Sequence, residues 1–248
     1  MNIQGCTALV TGGNRGIGEG FVEELLEQGA ARVYIGARNP ADAEALVARD
    51  RDRLRAVKLD VTKPDQIEAA AAQCGDVNLL VNNAGAFSMQ TLIGAPDLSA
   101  MRAEIETNYI GLVAMCRAFA PVIEARGGGA ILNVLSAGGI VAVPVMGGYS
   151  PSKFAARAAC DCMRAELAPR GVHVAALIVG SVDTRMAAHV KGRVKSQPRD
   201  IAKAGLVAAK HSINEHDTDP HAIEVRAFLA RDPKGLANSM AAAVAPKP

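Results

Sequence analysis

The chain has 248 residues, half of them apolar, and its 27 Lys and Arg nearly cancel its 25 Asp and Glu, leaving a net charge of +2. So even a balance excludes the basic footprint of a nucleic-acid binder or of a protein held to an anionic membrane by charge. Three tyrosines, five phenylalanines and no tryptophan are too few for a base-stacking platform.

Apolar runs and helical patterns then alternate along the chain. "TALVTG", "RVYIGAR", "RAVKLDV", "NLLVNNAG", "AILNVLS" and "VHVAALIVG" are continuous rather than alternating, which predicts parallel strands buried on both faces. Between them, "GEGFVEELLEQG", "PADAEALVARD", "KPDQIEAAAAQCG", the run from about Ser99 to Arg126, and "SKFAARAACDCMRAELAPRG" predict helices. Repeated β-then-α with short connections predicts right-handed crossovers and a sheet covered on both sides. The pattern weakens after Arg185. A mobile substrate segment is expected over about 185–205, a helix over about 200–210, a last strand near 214–218, and frayed helix and coil in the terminal "MAAAVAPKP". No linker or repeat divides the chain, so one domain is expected over residues 1–248.

Five cysteines contain no CxxC pair. Cys160 and Cys162 would point about 200° apart on a helix, so small core residues in a reducing compartment are expected, with neither a disulfide nor a metal site. The five histidines show no metal spacing. There is no basic-then-apolar leader and no apolar stretch long enough to span a bilayer, so a cytoplasmic protein is expected.

Two local patterns bear on chemistry. Gly12, Gly16 and Gly18 lie between the first strand and a helix that should begin near Ile17. Glycines there permit a tight turn and let main chain approach a pyrophosphate at a helix N-terminus, although the spacing is not the common GxGxxG. Tyr149 and Lys153 stand one helical turn apart, so they share a face. Such a pair is either catalytic or two neighbouring surface residues.

Taken together, "TGGNRGIG", "NNAG" at Asn82 to Gly85, Asn108, Ser136 and Tyr149-x-x-x-Lys153 resemble, in the same order, the motifs of the short-chain dehydrogenase/reductase family. The resemblance covers about Gly5 to Thr184 and implies a compact, carbonyl-reductase-like member: an α/β protein with a Rossmann-type doubly wound parallel sheet of about seven strands. It implies catalytic roles for Asn108, Ser136, Tyr149 and Lys153. It also implies that a nicotinamide cofactor is held by Gly12, Asn14, Arg15, Gly16, Ile17 and Gly18 of the first turn, Arg38 after the second strand, and Asp60 and Val61 after the third. Asn83, Ala84 and Gly85, then Tyr149 and Lys153, then Gly180, Val182 and Thr184 complete that set. One departure is Val179-Gly180 where the family commonly has Pro-Gly, which is expected to loosen that loop.

At the end of the second strand, Ala37 cannot accept the ribose hydroxyl bond made by a carboxylate in NAD enzymes. Arg38 follows it, and Arg15 is aimed at the same region, so NADP(H) is expected through guanidinium–phosphate pairing. The field of Lys153 is expected to bring the Tyr149 phenol down toward neutrality, where it can give and take a proton. Ser136 would stabilise charge on the substrate oxygen, and by resemblance Asn108 would hold a relay water. The segments expected to meet substrate supply Ala86, Phe87, Ala137, Gly138, Gly139, Val143, Met146, Ser181, Val182 and Met186. None is charged, which points to a neutral, bulky ketone or the corresponding alcohol. A 3-oxoacyl thioester reductase would need a basic patch, for which Arg126, Arg185, Lys191, Arg193 and Lys195 are candidates. A non-catalytic NADP-binding sensor would need neither Ser136 nor Tyr149. A homodimer or homotetramer is expected, by resemblance, through the two long helices.

Overall fold

The computed structural model describes residues 1–242 and Val244; the rest of the alanine-rich terminus lies outside the described residues. Seven parallel strands form one sheet in the order β3-β2-β1-β4-β5-β6-β7. They are β1 (Thr7–Thr11), β2 (Arg32–Ala37), β3 (Leu54–Lys58), β4 (Leu79–Asn82), β5 (Gly129–Val134), β6 (Val172–Ile178) and β7 (Glu215–Asp217). Successive strand residues feed opposite faces, as the two-residue period requires. Leu9 and Leu80 enter the core on one side, with Phe119, Met115 and Ile123. Val10 and Val81 enter the other, with Phe21, Leu25 and Leu206.

The helices are α1 (Gly16–Glu27), α2 (Glu44–Val47), α3 (Pro64–Gln73), α4 (Ser99–Ile105), α5 (Gly111–Ala125), α6 (Tyr149–Leu167), α7 (Pro198–His211), α8 (Pro220–Arg231) and α9 (Pro233–Ala241). Several of these depart from the sequence expectations. The helix expected over 40–50 shrinks to a 3-10 turn followed by α2, a single α turn. The run from Ser99 to Arg126 is interrupted by a π turn at Glu106–Ile110. The segment expected to be irregular over 185–205 is so only to Gln197. Pro198 then opens α7, which buries Ile201, Ala202, Gly205 and Leu206. Helices α8 and α9 were not expected at all. Each follows an Asp-Pro pair whose aspartate caps it: Asp219 accepts from the His221 and Ala222 amides, and Asp232 from that of Gly235.

The strand order reverses between β1 and β4. In an open α/β sheet that reversal leaves a crevice beyond the carboxyl ends of the strands. The turns after β1, β4, β5 and β6 all open onto it.

Candidate active site

The turn after β1 is built for an anion. Gly12 and Gly16 take φ of +60° and +56°, a left-handed conformation that residues with a Cβ adopt at a cost. Gly18 has no room for a side chain: a Cβ would fall 2.2 Å from the Gly12 carbonyl. Arg15, the N-cap of α1, is extended and its side chain caps nothing, so the first amides of the helix face the turn. Asn14 and Ile17 are half-buried beside them.

Asn83 supports this turn from behind, donating to the Thr11 and Gly12 carbonyls at 2.9 and 3.1 Å. Thr11, which sequence reasoning passed over, accepts from the amides of both Asn83 and Ala84 at 2.9 Å. It thereby clamps the ends of β1 and β4 together. Gly85 sits between the two catalytic candidates: a Cβ there would lie 3.3 Å from Asn108 Oδ1 and 4.0 Å from Lys153 Nζ.

The loop after β6 is firmly held, contrary to expectation. Gly180 donates to Asp219 Oδ2 at 2.6 Å, Ser181 Oγ meets His221 Nδ1 at 3.0 Å, and Val182 bridges to Ser196. A buried carboxylate at the head of α8 replaces the rigidity of the absent proline. The loop brings Thr184 over the glycine turn, its Cγ2 lying 3.4 Å from where a Gly16 Cβ would be.

At the other rim, Arg38 and Arg15 are both exposed, and among the described residues neither takes part in an ion pair or side-chain hydrogen bond. Asp60 folds its own turn by accepting from the Thr62 amide and hydroxyl at 3.0 and 2.8 Å. Val61 beside it is buried, and its carbonyl packs against Gly111, where a Cβ would fall 2.6 Å away. Glycines, free helix amides, Asp60 beyond β3 and unpaired arginines together fit a dinucleotide, which would run from Arg38 across the Gly12–Gly18 turn to Lys153.

The four catalytic candidates come from three elements. Ser136 lies two residues beyond β5 and caps the 3-10 turn that follows, accepting from the Gly138 amide at 3.0 Å. Tyr149 opens α6, and Lys153, buried one turn on, places Nζ 5.6 Å from the tyrosine ring centroid. Asn108 lies in the π turn and is 1 % exposed, so it is not a solvent-facing residue. Its Oδ1 accepts from the Ala86 amide at 2.8 Å, and its Nδ2 donates to the Ala86 carbonyl and to Ser152 Oγ, both at 2.9 Å. Ser152, buried inside α6, was missed; its only signal was a polar residue on the inward face of a helix.

The electrostatics differ from the expectation. Burial pushes the Tyr149 phenol up, against a smaller lowering from the Ser136 hydroxyl, and Glu104 pushes it further up. Burial also brings Lys153 down to about 8. Its ammonium donates to the Val134 carbonyl at 2.9 Å, and Lys153 is not what governs the phenol here. For both groups desolvation outweighs the attraction between them.

Phe87 packs edge-on against Tyr149 with centroids 5.1 Å apart, and His189 stacks on Phe87 at 5.3 Å. Ala137, Gly138 and Gly139 form the buried floor. Val143 and Met146 border an apolar groove of about 380 Å³ that continues to Leu92, Ile93 and Pro151. Three of the five candidate basic residues are placed away from the crevice or held by other groups. Arg126 ends α5 at the opposite end of the sheet, next to the start of β5. Arg193 pairs with Glu224, and Lys195 donates to the Ala187 carbonyl.

A glycine turn, a sheet reversal and a Ser–Tyr–Lys group at one crevice define a dinucleotide-dependent oxidoreductase fold. The short chain dehydrogenase family model matches residues 6–194, and the chain belongs to that family. It is 31% identical over 213 residues to a 3-alpha-(or 20-beta)-hydroxysteroid dehydrogenase of Mycobacterium tuberculosis, covering 84% of this chain and 78% of the relative. A short chain dehydrogenase from Burkholderia cenocepacia, solved in complex with NADP, superposes with a TM-score of 0.91 at 39% identity, covering 99% of this chain and all of the other. The 3-ketoacyl-(acyl-carrier-protein) reductase of Brucella melitensis, complexed with NADH, gives a TM-score of 0.79 at 28% identity, over 88% of this chain and 98% of that one. Among the described residues no helix is long and apolar enough to cross a membrane.

Proposed function

We propose that the chain is a cytoplasmic, NADPH-dependent carbonyl reductase, and in reverse a secondary-alcohol dehydrogenase, acting on neutral ketones with bulky apolar groups. The observation that carries this reading is the position of Tyr149. It stands between Ser136 and Lys153 at the end of the crevice, faced by Phe87 and an uncharged floor. A sensor that only bound the dinucleotide would need no such group. The NADP in the Burkholderia cenocepacia relative supports the choice of cofactor, as do the unpaired Arg15 and Arg38.

When bound, the cofactor supplies a hydride to the carbonyl carbon. The protein's own part is proton transfer and orientation. Tyr149 gives its phenolic proton to the carbonyl oxygen, and takes it back in alcohol oxidation. Ser136 donates a hydrogen bond to the same oxygen and stabilises the charge that develops there. Lys153 is fixed by the Val134 carbonyl, with Asn108 beside it across Gly85, so the next proton has a buried amine to pass through. The stacked Phe87 and His189 cover the phenol and limit water in the crevice.

The hydroxysteroid dehydrogenase relative favours a large apolar ketone over a carrier-bound thioester, as do the distance of Arg126 from the crevice and the pairing of Arg193 with Glu224. The deciding experiment compares NADPH-dependent rates on a bulky aryl or polycyclic ketone, a short keto acid and a 3-oxoacyl thioester. The bulky ketone is expected to be fastest; a marked preference for either of the others overturns the reading. Tyr149→Phe is expected to lower turnover by about a hundredfold or more while leaving NADPH binding intact, and unchanged turnover would remove Tyr149 from the mechanism.

A further inference from the structure

Three carboxylates are buried among the described residues: Glu24, Glu104 and Asp219. Glu24 faces Arg199, and Asp219 is met by the amides of Gly180, His221 and Ala222. Glu104, 1 % exposed on the face of α4 toward α6, has a single amide and, among the described residues, no cation paired with it. One of its oxygens accepts from the Ser88 amide. The other lies against Gly148, the residue before Tyr149, so closely that a Cβ there would fall 2.2 Å from Oε2.

We propose that Glu104 is a positioning residue of this site: its buried carboxylate, held between the Ser88 amide and Gly148 at the head of α6, presents fixed negative charge to Tyr149 and keeps the phenol in its proton-donating form. The assignment rests on Tyr149 being the acid/base group.

The surroundings leave the charge little else to act on. Met101, on the same helix, is apolar and packs against Gly148. The loop after β4 contributes the neutral Ser88 amide and Phe87, with His189 beyond it. From α6 come Tyr149 and Lys153, and from the turn after β5 comes the neutral Ser136. The phenol thus stands between a buried cation one turn along its own helix and a buried carboxylate behind its first residue. Burial already holds the proton on the phenol, and Glu104 acts in the same direction. Burial pushes the Glu104 carboxyl above its ordinary value, and the Ser88 amide opposes this with a smaller lowering that favours the charged form. A neutral side chain at 104 would fill the space without this effect.

The test uses the absence of tryptophan and the presence of only three tyrosines, which make phenolate absorbance readable in the near ultraviolet. Titrating the protein and subtracting the titration of Tyr149→Phe isolates the Tyr149 midpoint without substrate or turnover. In Glu104→Gln, which retains an acceptor for Ser88 but not the charge, that midpoint is expected to move to lower pH by about one pH unit. The alkaline limb of ketone reduction and the acid limb of alcohol oxidation should move with it. Glu104→Asp, which retains the charge but is too short for the Ser88 contact, should stay nearer the parent. A midpoint unmoved or raised in Glu104→Gln overturns the proposal. So does failure of both Glu104→Gln and Glu104→Met to fold while Glu104→Asp folds, because the carboxylate is then structural. A midpoint that falls while both rate profiles stay in place supports the effect of Glu104 on the phenol and instead removes Tyr149 as the acid/base group.

Discussion

An ammonium taken out of water behind one hydrogen bond to a carbonyl gains by losing its proton, and burial brings Lys153 from an ordinary 10.5 down to about 8. Between those two values the folded protein binds fewer protons than the unfolded chain, so this residue makes stability rise with pH across that window. Below about pH 8 both states are protonated and the full penalty of the buried charge remains. At about 1.4 kcal/mol per pH unit it is on the order of 3 kcal/mol. Lys153→Met is therefore expected to gain on the parent most at pH 7 and to lose that gain by about pH 10.5. Urea midpoints measured across the range check this; a gap independent of pH would refute it. Arg38 makes the contrasting case, since it is exposed and has no protein partner among the described residues. Replacing it with Asp should leave the fold untouched and raise the KM for NADPH by about tenfold or more, through loss of a charge-assisted hydrogen bond, while sparing NADH. Equal effects on both cofactors would assign Arg38 to solvent.

At the scale of elements, the loop after β6 shows how one capping residue can serve two segments. Asp219 starts α8 and at the same time takes the Gly180 amide, joining the end of β6 to the next helix. Asp219→Ala removes the cap and leaves a buried amide unpaired. These losses are expected to cost about 2–4 kcal/mol together and to raise the KM for NADPH through the displaced Val182 and Thr184. Denaturant melts and cofactor titrations read the two effects separately, and an unchanged KM would show that the loop is held by other contacts. The sequence carried half of this device in plain form, because Asp-Pro is a helix start. It did not reveal that the same carboxylate replaces the proline that Val179 lacks. That pairing joins residues 39 positions apart.

At the scale of the whole molecule, Ile110 at the head of α5 and Phe154 on α6 stay exposed at 45 % and 38 %, on the two helices through which assembly is proposed. Light scattering is expected to give a dimer or tetramer of the 25.7 kDa chain. Phe154→Glu should shift it toward monomer, and a monomeric parent protein would refute the proposal. What the sequence determined by itself was the alternation of strand and helix, the parallel sheet, and the glycine turn with its companion motifs. Each of these is written in local period or in residues a few positions apart, and backbone geometry reads such signals directly. Only the tertiary structure decided the protonation balance of Tyr149 and Lys153, the burial of Asn108 against Ala86 and Ser152, the tethered loop at Gly180, and the carboxylate of Glu104 behind the phenol. Those depend on how much water is excluded and on which distant groups are brought together, and neither is set until the helices have packed onto the sheet.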